Sequence, residues 1–137
     1  MLSARESDFL LGHRIGRLAT ADAAGVPHLV PVCFALHDAV LYTAVDGKPK
    51  RERALKRLRN IAENPRVCFL VDHYDEDWSR LGWVMIHGNA GILEDGPESD
   101  RAVELLRARY VQYQSMQLAP VLAIRMLAVS SWGNLER

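Results

Sequence analysis

Cysteine, net charge and long apolar runs are all scarce in this chain. Its only cysteines, Cys33 and Cys68, sit inside apolar stretches at no metal-type spacing. That pattern excludes a disulfide scaffold and a zinc module, and suits small buried hydrophobes in a reducing cytoplasm. The formal net charge is zero, which argues against a general polyanion binder, because such affinity rests on neutralising many phosphates. No apolar run approaches the length of a membrane span, and the N-terminus lacks the basic-then-apolar pattern of a signal peptide. A cytoplasmic location is expected. The histidines, His13, His28, His37, His73 and His87, show no paired ligand spacing, so no metal site is expected. Asp75-Glu76-Asp77 lacks the spacing of a calcium loop. No nucleophile elbow or Ser-His-Asp signature is present, so hydrolase chemistry is not expected.

What is present is an ordinary globular composition, 49% hydrophobic and 25% charged over 137 residues, long enough for one domain with its own core. The expected domain is residues 1–137. Residues 3–12 read as a short helix, with Ser3 as N-cap and Glu6 three positions on. Residues 15–21 read as a strand, followed by a turn at Asp22-Ala23-Ala24-Gly25. Residues 26–36 form a second predicted strand carrying Pro27 and Pro31. A proline cannot donate to a ladder, so its edge must be free or bulged. His37-Asp38 reverses the chain into a third strand, 39–44. Residues 67–72 are an unbroken apolar run, expected to be buried on both faces. A long strand follows at 81–93, in which Gly88 marks a bend or bulge. A helix then runs from Pro97 to about Tyr110, residues 110–118 fit no class, and a last strand covers 121–132. Six strands joined mostly by tight turns predict a mainly β fold with flanking helices, a small closed or half-closed antiparallel barrel.

The chemistry concentrates between Asp46 and Pro65. Lys48, Lys50, Arg51, Arg53, Lys56, Arg57 and Arg59 fall there in a chain of zero net charge. Ala54, Leu55, Leu58, Ile61 and Ala62 recur at helical spacing, so one face is apolar and the remainder basic. Lys48 and Lys50 flank Pro49 ahead of the helix and converge on its start, a natural place to hold an anion.

The order of elements, together with Gly16-Arg17-Leu18-Ala19-Thr20, Val30-Pro31-Val32, Tyr42-Thr43, Arg57-Leu58-Arg59-Asn60-Ile61, Asn64-Pro65-Arg66-Val67 and Gly88-Asn89-Ala90, resembles the FMN-binding split barrels, relatives of pyridoxamine 5′-phosphate oxidase. Within them, Asp46-Gly47-Lys48-Pro49-Lys50 and Tyr74-Asp75-Glu76-Asp77-Trp78 resemble the branch that uses coenzyme F420. The resemblance implies a six-stranded antiparallel split β-barrel and a homodimer with cofactor sites at the interface. It implies a flavin-like ring along Val30, Pro31 and Val32, with its phosphate met by basic residues from the third strand and the helix that follows, and with Thr43 among the cofactor-binding residues. Lys48, Lys50 and Arg57 are the expected phosphate contacts, and Arg51 is undecided. Arg53, Lys56 and Arg59 are the expected solvated face. Arg57 stands where many members carry lysine, which keeps the charge and adds bidentate geometry. Trp83 and Met85 share one strand face and are expected to reach the ring from the partner subunit.

The function so implied is hydride transfer between coenzyme F420, or alternatively FMN, and a small unsaturated substrate. In such chemistry the cofactor carries the reaction and the protein supplies orientation and a dry pocket. The catalytic residues are not assigned by sequence; Tyr74 is a candidate proton donor. The competing expectation is a non-catalytic carrier of flavin, deazaflavin or haem, for which an isolated histidine such as His87 would be the axial ligand. Nucleic-acid binding through the basic helix is not expected, given neutral charge and no recognised reading motif.

Overall fold

Helix α1 (Ala4–Leu11) forms where its capping residues place it. The Ser3 hydroxyl accepts from the Glu6 N–H, the Glu6 carboxylate accepts from the Ser3 N–H, and Phe9 and Leu10 go into the core. The computed structural model describes residues 1–46 and 51–136, with the side chains at 46 and 51–55 outside the description. Lys48 and Lys50 therefore lie outside the described residues, as do the side chains of Arg51 and Arg53. No described helix is long and apolar enough to cross a membrane.

Strands β1 (Gly16–Ala21) and β2 (Pro27–Val32) pair as an antiparallel hairpin. Its turn is fixed by Asp22, whose carboxylate accepts from the Ala24 and Val26 N–H groups, and by Gly25 at φ +82°. Strands β3 (Ala35–His37) and β4 (Val40–Asp46) form a second hairpin. Helix α2 (Arg51–Glu63) leads to β5 (Arg66–His73) and β6 (Gly82–Leu93). Helix α3 (Pro97–Arg109) precedes the long last strand β7 (Leu118–Gly133). A 3₁₀ turn occupies Val111–Ser115, inside the stretch that the sequence left without a class.

The sheet has seven strands in the order β2-β1-β5-β6-β7-β4-β3, not the six expected. The single predicted strand at 26–36 is two strands. Residues 27–32 pair with β1, residues 35–37 pair with β4, and Cys33-Phe34 turns the chain from one edge of the sheet to the other. The sheet must therefore curl until its two edges are two residues apart, yet no ladder joins β2 to β3 among the described residues. It is an open, split barrel. Pro27 and Pro31 sit on the β2 edge, where a missing N–H is tolerated. The Gly88 irregularity is a register shift against β7 between His87 and Gly88.

One core fills the curled sheet: Leu18, Phe34, Leu41, Phe69, Val71, Ile86, Leu122 and Ile124, capped by Phe9 and Leu10. A second lies under α3, with Tyr42, Ala102, Leu106, Tyr110 and Val121. Strand β5 departs from its expectation. Val67, Phe69 and Val71 are buried while Cys68 and Leu70 are half-buried on the other face. Its apolar run reflects a second, uncovered apolar surface.

The split is clamped by side chains. Phe34 at the corner finds a partner in the Tyr110 hydroxyl, which accepts from its N–H at 3.0 Å and lies 3.1 Å from its carbonyl. The same hydroxyl donates to the Arg14 carbonyl at 2.8 Å. Arg109 donates to the carbonyls of Phe34, Leu11 and His13. Replacing Tyr110 by Phe leaves a buried N–H and carbonyl without this partner, at a cost of about 1–3 kcal/mol. Urea unfolding of Tyr110→Phe is expected to show that loss with an unchanged slope; stability equal to the parent would contradict the clamp.

Helix α3 is held to the sheet by Glu98, which takes two hydrogen bonds from Arg125 (2.9 and 3.1 Å) and one from the Tyr42 hydroxyl (2.7 Å). Arg125 first, then Tyr42, hold the Glu98 carboxyl below its ordinary value of 4.5. Burial and then the Glu98 bond push the Tyr42 hydroxyl up to about 12. A carboxyl depressed on folding contributes stability above its unfolded value that is lost as pH falls through the folded one. Melting temperature measured from pH 7 to pH 3 is expected to fall less steeply below pH 4.5 in Glu98→Gln; an unaltered acid limb would contradict the linkage.

Candidate functional site

Three features of this fold bear on function: the free edge of β2, the seam where α2 meets β1, and the outer face of the sheet. On β2, alternation sends Val30 and Val32 inward and Pro31 outward. Val30 is half-buried against the main core, Val32 is buried and Pro31 is exposed. The other side of β2 meets no strand among the described residues, so the backbone around Pro31 is open to a ligand's polar edge. Thr43 is on β4 and is buried, 1% exposed, so its hydroxyl lies within the protein and not on a surface.

Among the described residues, a buried polar contact docks helix α2. Asn60 Nδ2 donates to Thr20 Oγ1 at 3.0 Å, with both residues at most 3% exposed. Ile61 beside it enters the main core. At the helix end Glu63 accepts from the Ala23 N–H at 2.9 Å, and Asn64-Pro65 stops the helix as the sequence predicts. Arg57, one turn before Asn60, lies on the same helix flank, half-buried with its Nε shielded from solvent. Arg59 is exposed, as expected of a solvated face. Lys56 departs from that expectation. It is half-buried, and its charge helps hold the Asp22 carboxyl below the usual range, after the Val26 and Ala24 N–H groups.

The outer face carries Trp83 and Met85, both half-buried. Trp83 stands opposite Asp72 and Trp132, and Met85 opposite Leu70 and Ser130. Arg17 links this row to the β2 edge, standing opposite both Leu70 and Pro31 and reaching Asp72 at 3.6 Å. Trp132 and Leu29 are 55% and 65% exposed. Cys68 and His87 are cross-strand neighbours on this face with Sγ and Nε2 4.0 Å apart. Burial pushes the Cys68 thiol up, the wrong direction for a nucleophilic thiolate. Tyr74 is exposed in the β5–β6 connection, its hydroxyl 3.4 Å from the Trp78 indole nitrogen.

Within one chain, then, Pro31, Trp83 and Met85 share the outer face, whereas Arg57 belongs to a helix packed on the inner one. Two structurally important groups escaped the sequence reading. The Thr20–Asn60 pair had a signal, a polar residue beside the apolar stripe of α2. The Tyr110–Arg109 clamp had none, because its partners are carbonyls about a hundred positions away.

These features meet those of a known family. Residues 2–133 match the family model described as pyridoxamine 5′-phosphate oxidase, and the chain belongs to that family. It is 35% identical over 107 residues, 75% of this chain and 74% of the relative, to a 5a,11a-dehydrotetracycline/5a,11a-dehydrooxytetracycline reductase of Streptomyces rimosus. Among solved structures it is similar to a FAD-binding protein of Mesorhizobium loti, at 27% identity and TM-score 0.60, covering 95% of this chain and 92% of that one. The fold is also that of the haem storage protein of Vibrio cholerae, at 14% identity and TM-score 0.73, covering 93% and 90%.

Proposed function

We propose that the protein is an oxidoreductase that moves hydride between a flavin-type cofactor, coenzyme F420 or alternatively FMN, and a small unsaturated substrate. The observation that carries this reading is the 35% identity to a reductase over three quarters of both chains, within a family match that spans nearly all of this one. That relative acts on dehydro compounds by its name, which agrees with an unsaturated acceptor. An oxidoreductase or flavin-binding role is supported by the family; the choice of F420 over FMN is ours.

The residues present fit such a group. The open β2 edge at Val30, Pro31 and Val32 offers backbone groups to the polar rim of a flat ring. Arg57 at the α2 seam, with Lys48, Lys50 and Arg51 just before it in the chain, suits a phosphate. Thr43, buried on β4, supports the strand that leads into that basic segment. When bound, the ring supplies the hydride; the chain's part is to orient it, exclude water and neutralise its charged end. Trp83 and Met85, on the face opposite Arg57, complete such a pocket only if they come from a second copy. The proposed assembly is therefore a homodimer closed over the apolar outer face. Large apolar side chains left half-open there are what an isologous interface would cover.

Titration of the purified protein with FMN and with coenzyme F420 tests the cofactor. Micromolar or tighter binding of at least one is expected (about 8 kcal/mol or more), and failure of both would overturn the reading. Lys48→Ala and Arg57→Ala are each expected to weaken the phosphorylated cofactor about tenfold, the usual effect of losing a charge-assisted bond. Met85→Lys is expected to convert the dimer to monomer in sedimentation and to lower cofactor affinity with it; a dimer that persists would refute the interface. A second reading, a carrier without turnover, is favoured by the fold shared with a haem storage protein. A Soret band on reconstitution that vanishes in His87→Ala would support it over the enzyme.

A further inference from the structure

Strands β5 and β6 bring together two soft donors that stand 19 positions apart in the chain, a separation that hides them from any search for ligand spacing. Cys68 and His87 are direct cross-strand partners on the outer face, with Sγ and Nε2 4.0 Å apart. A neutral imidazole protonated at Nδ1 turns the Nε2 lone pair toward the thiol. The gap is long for a proton to bridge, but it suits a metal ion. With bonds of about 2.3 Å to sulfur and about 2.0 Å to nitrogen, the donors lie roughly 3.5 Å apart around a tetrahedral ion and roughly 4.3 Å apart around a linear one. The observed separation fits a bent, two-coordinate ion. The register against β7 shifts beside His87, and such irregularities re-aim side chains. The same row of the sheet continues into Ala19 and Ala128, and the flanking rows bring Arg17 and Arg66 but no carboxylate from the strands. No group of three or more His, Cys, Asp or Glu among the described residues is placed to hold an ion. A closed zinc site, which needs four such ligands, is therefore not built here.

We propose that Cys68 and His87 form a binding site for copper(I), a soft monovalent ion, held between Sγ and Nε2. Thiolates select soft metals, whereas a hard divalent ion asks for the carboxylates that these rows lack. In the binding step the thiol proton goes to solvent while one S–Cu and one N–Cu bond form, and no atom changes oxidation state. One positive charge replaces another, so the charge balance beside Arg17 and Arg66 is unaltered. A divalent ion would add a charge there. The pair stands on the face that the proposed homodimer covers, where exclusion of water suits a two-coordinate ion. It uses no group that the oxidoreductase reading assigns to the cofactor, and it holds or falls independently of that reading.

Titration of the whole protein with copper(I), free of oxygen and against bicinchoninate as a coloured competitor, tests the site. One ion per chain is expected. Cys68→Ser and His87→Ala are each expected to weaken binding about a hundredfold or more, beyond the usual cost of losing a residue that only supports a ligand. Cys33→Ser is expected to bind as the parent does, and zinc(II) to displace copper(I) only at large excess. His87 is exposed, so His87→Ala carries the test if Cys68→Ser does not fold. Full binding in His87→Ala would reduce the site to an ordinary thiol and overturn the proposal. Full binding in Cys68→Ser, equal affinity for zinc(II), or no ion bound by the parent would each overturn it as well.

Discussion

The corner at Cys33-Phe34 is the constraint on which the remainder of the structure depends. A strand can pair with one neighbour on each side, and here the chain leaves β1 and reaches β4 within two residues. Curling the sheet brings its edges together at that point. It also leaves the backbone of the corner outside any ladder, where an unpaired polar group would be costly. Tyr110 supplies what a ladder would have supplied, and Arg109 ties the same spot to the end of α1 and the loop after it. The opening in the barrel is thus a built feature. Among the described residues, β2 keeps a free edge along Pro31.

The proposed function depends on that free edge. Two prolines on β2 are compatible with it only at an edge, and they deny a further strand some of the donors it would need. A flat heterocycle asks for less than a strand does: a few backbone groups in line, an apolar wall and a counter-charge. In the function proposed above, the wall would be the outer surface of β5, β6 and β7 carrying Leu70, Met85, Trp83 and Trp132, and the counter-charge would come from Arg57 on α2 and the basic residues before it in the chain. The two lie on opposite faces of a single chain. The homodimer proposed above would resolve that conflict without any change in the fold.

Much of the architecture was legible in the sequence because it depends on neighbours in the chain. The Ser3–Glu6 capping box, the Asp22–Gly25 turn, the Asn64-Pro65 stop and the Gly88 irregularity each rest on residues within a few positions of one another, and each stands where it was expected. The division of residues 26–36 was not legible. It depends on which partners lie beside each half, and β-branched composition runs through both. Strand β5 misled for a related reason: an apolar run reads the same whether its second face is covered by its own chain or is left open. Of the candidate site, the basic segment and the edge prolines could be read directly. The opposition of Arg57 to Trp83 required the whole sheet.

The central claim is that a flavin-type ring lies along the β2 edge of one copy and is closed by β6 of another. A crystal structure of the protein grown with coenzyme F420 or FMN tests this most directly. The account predicts a ring beside Pro31 of one subunit and Met85 of its neighbour, with the phosphate at the α2 seam near Arg57. A ring bound within a single subunit and away from β2, or bound with its phosphate remote from α2, would contradict it.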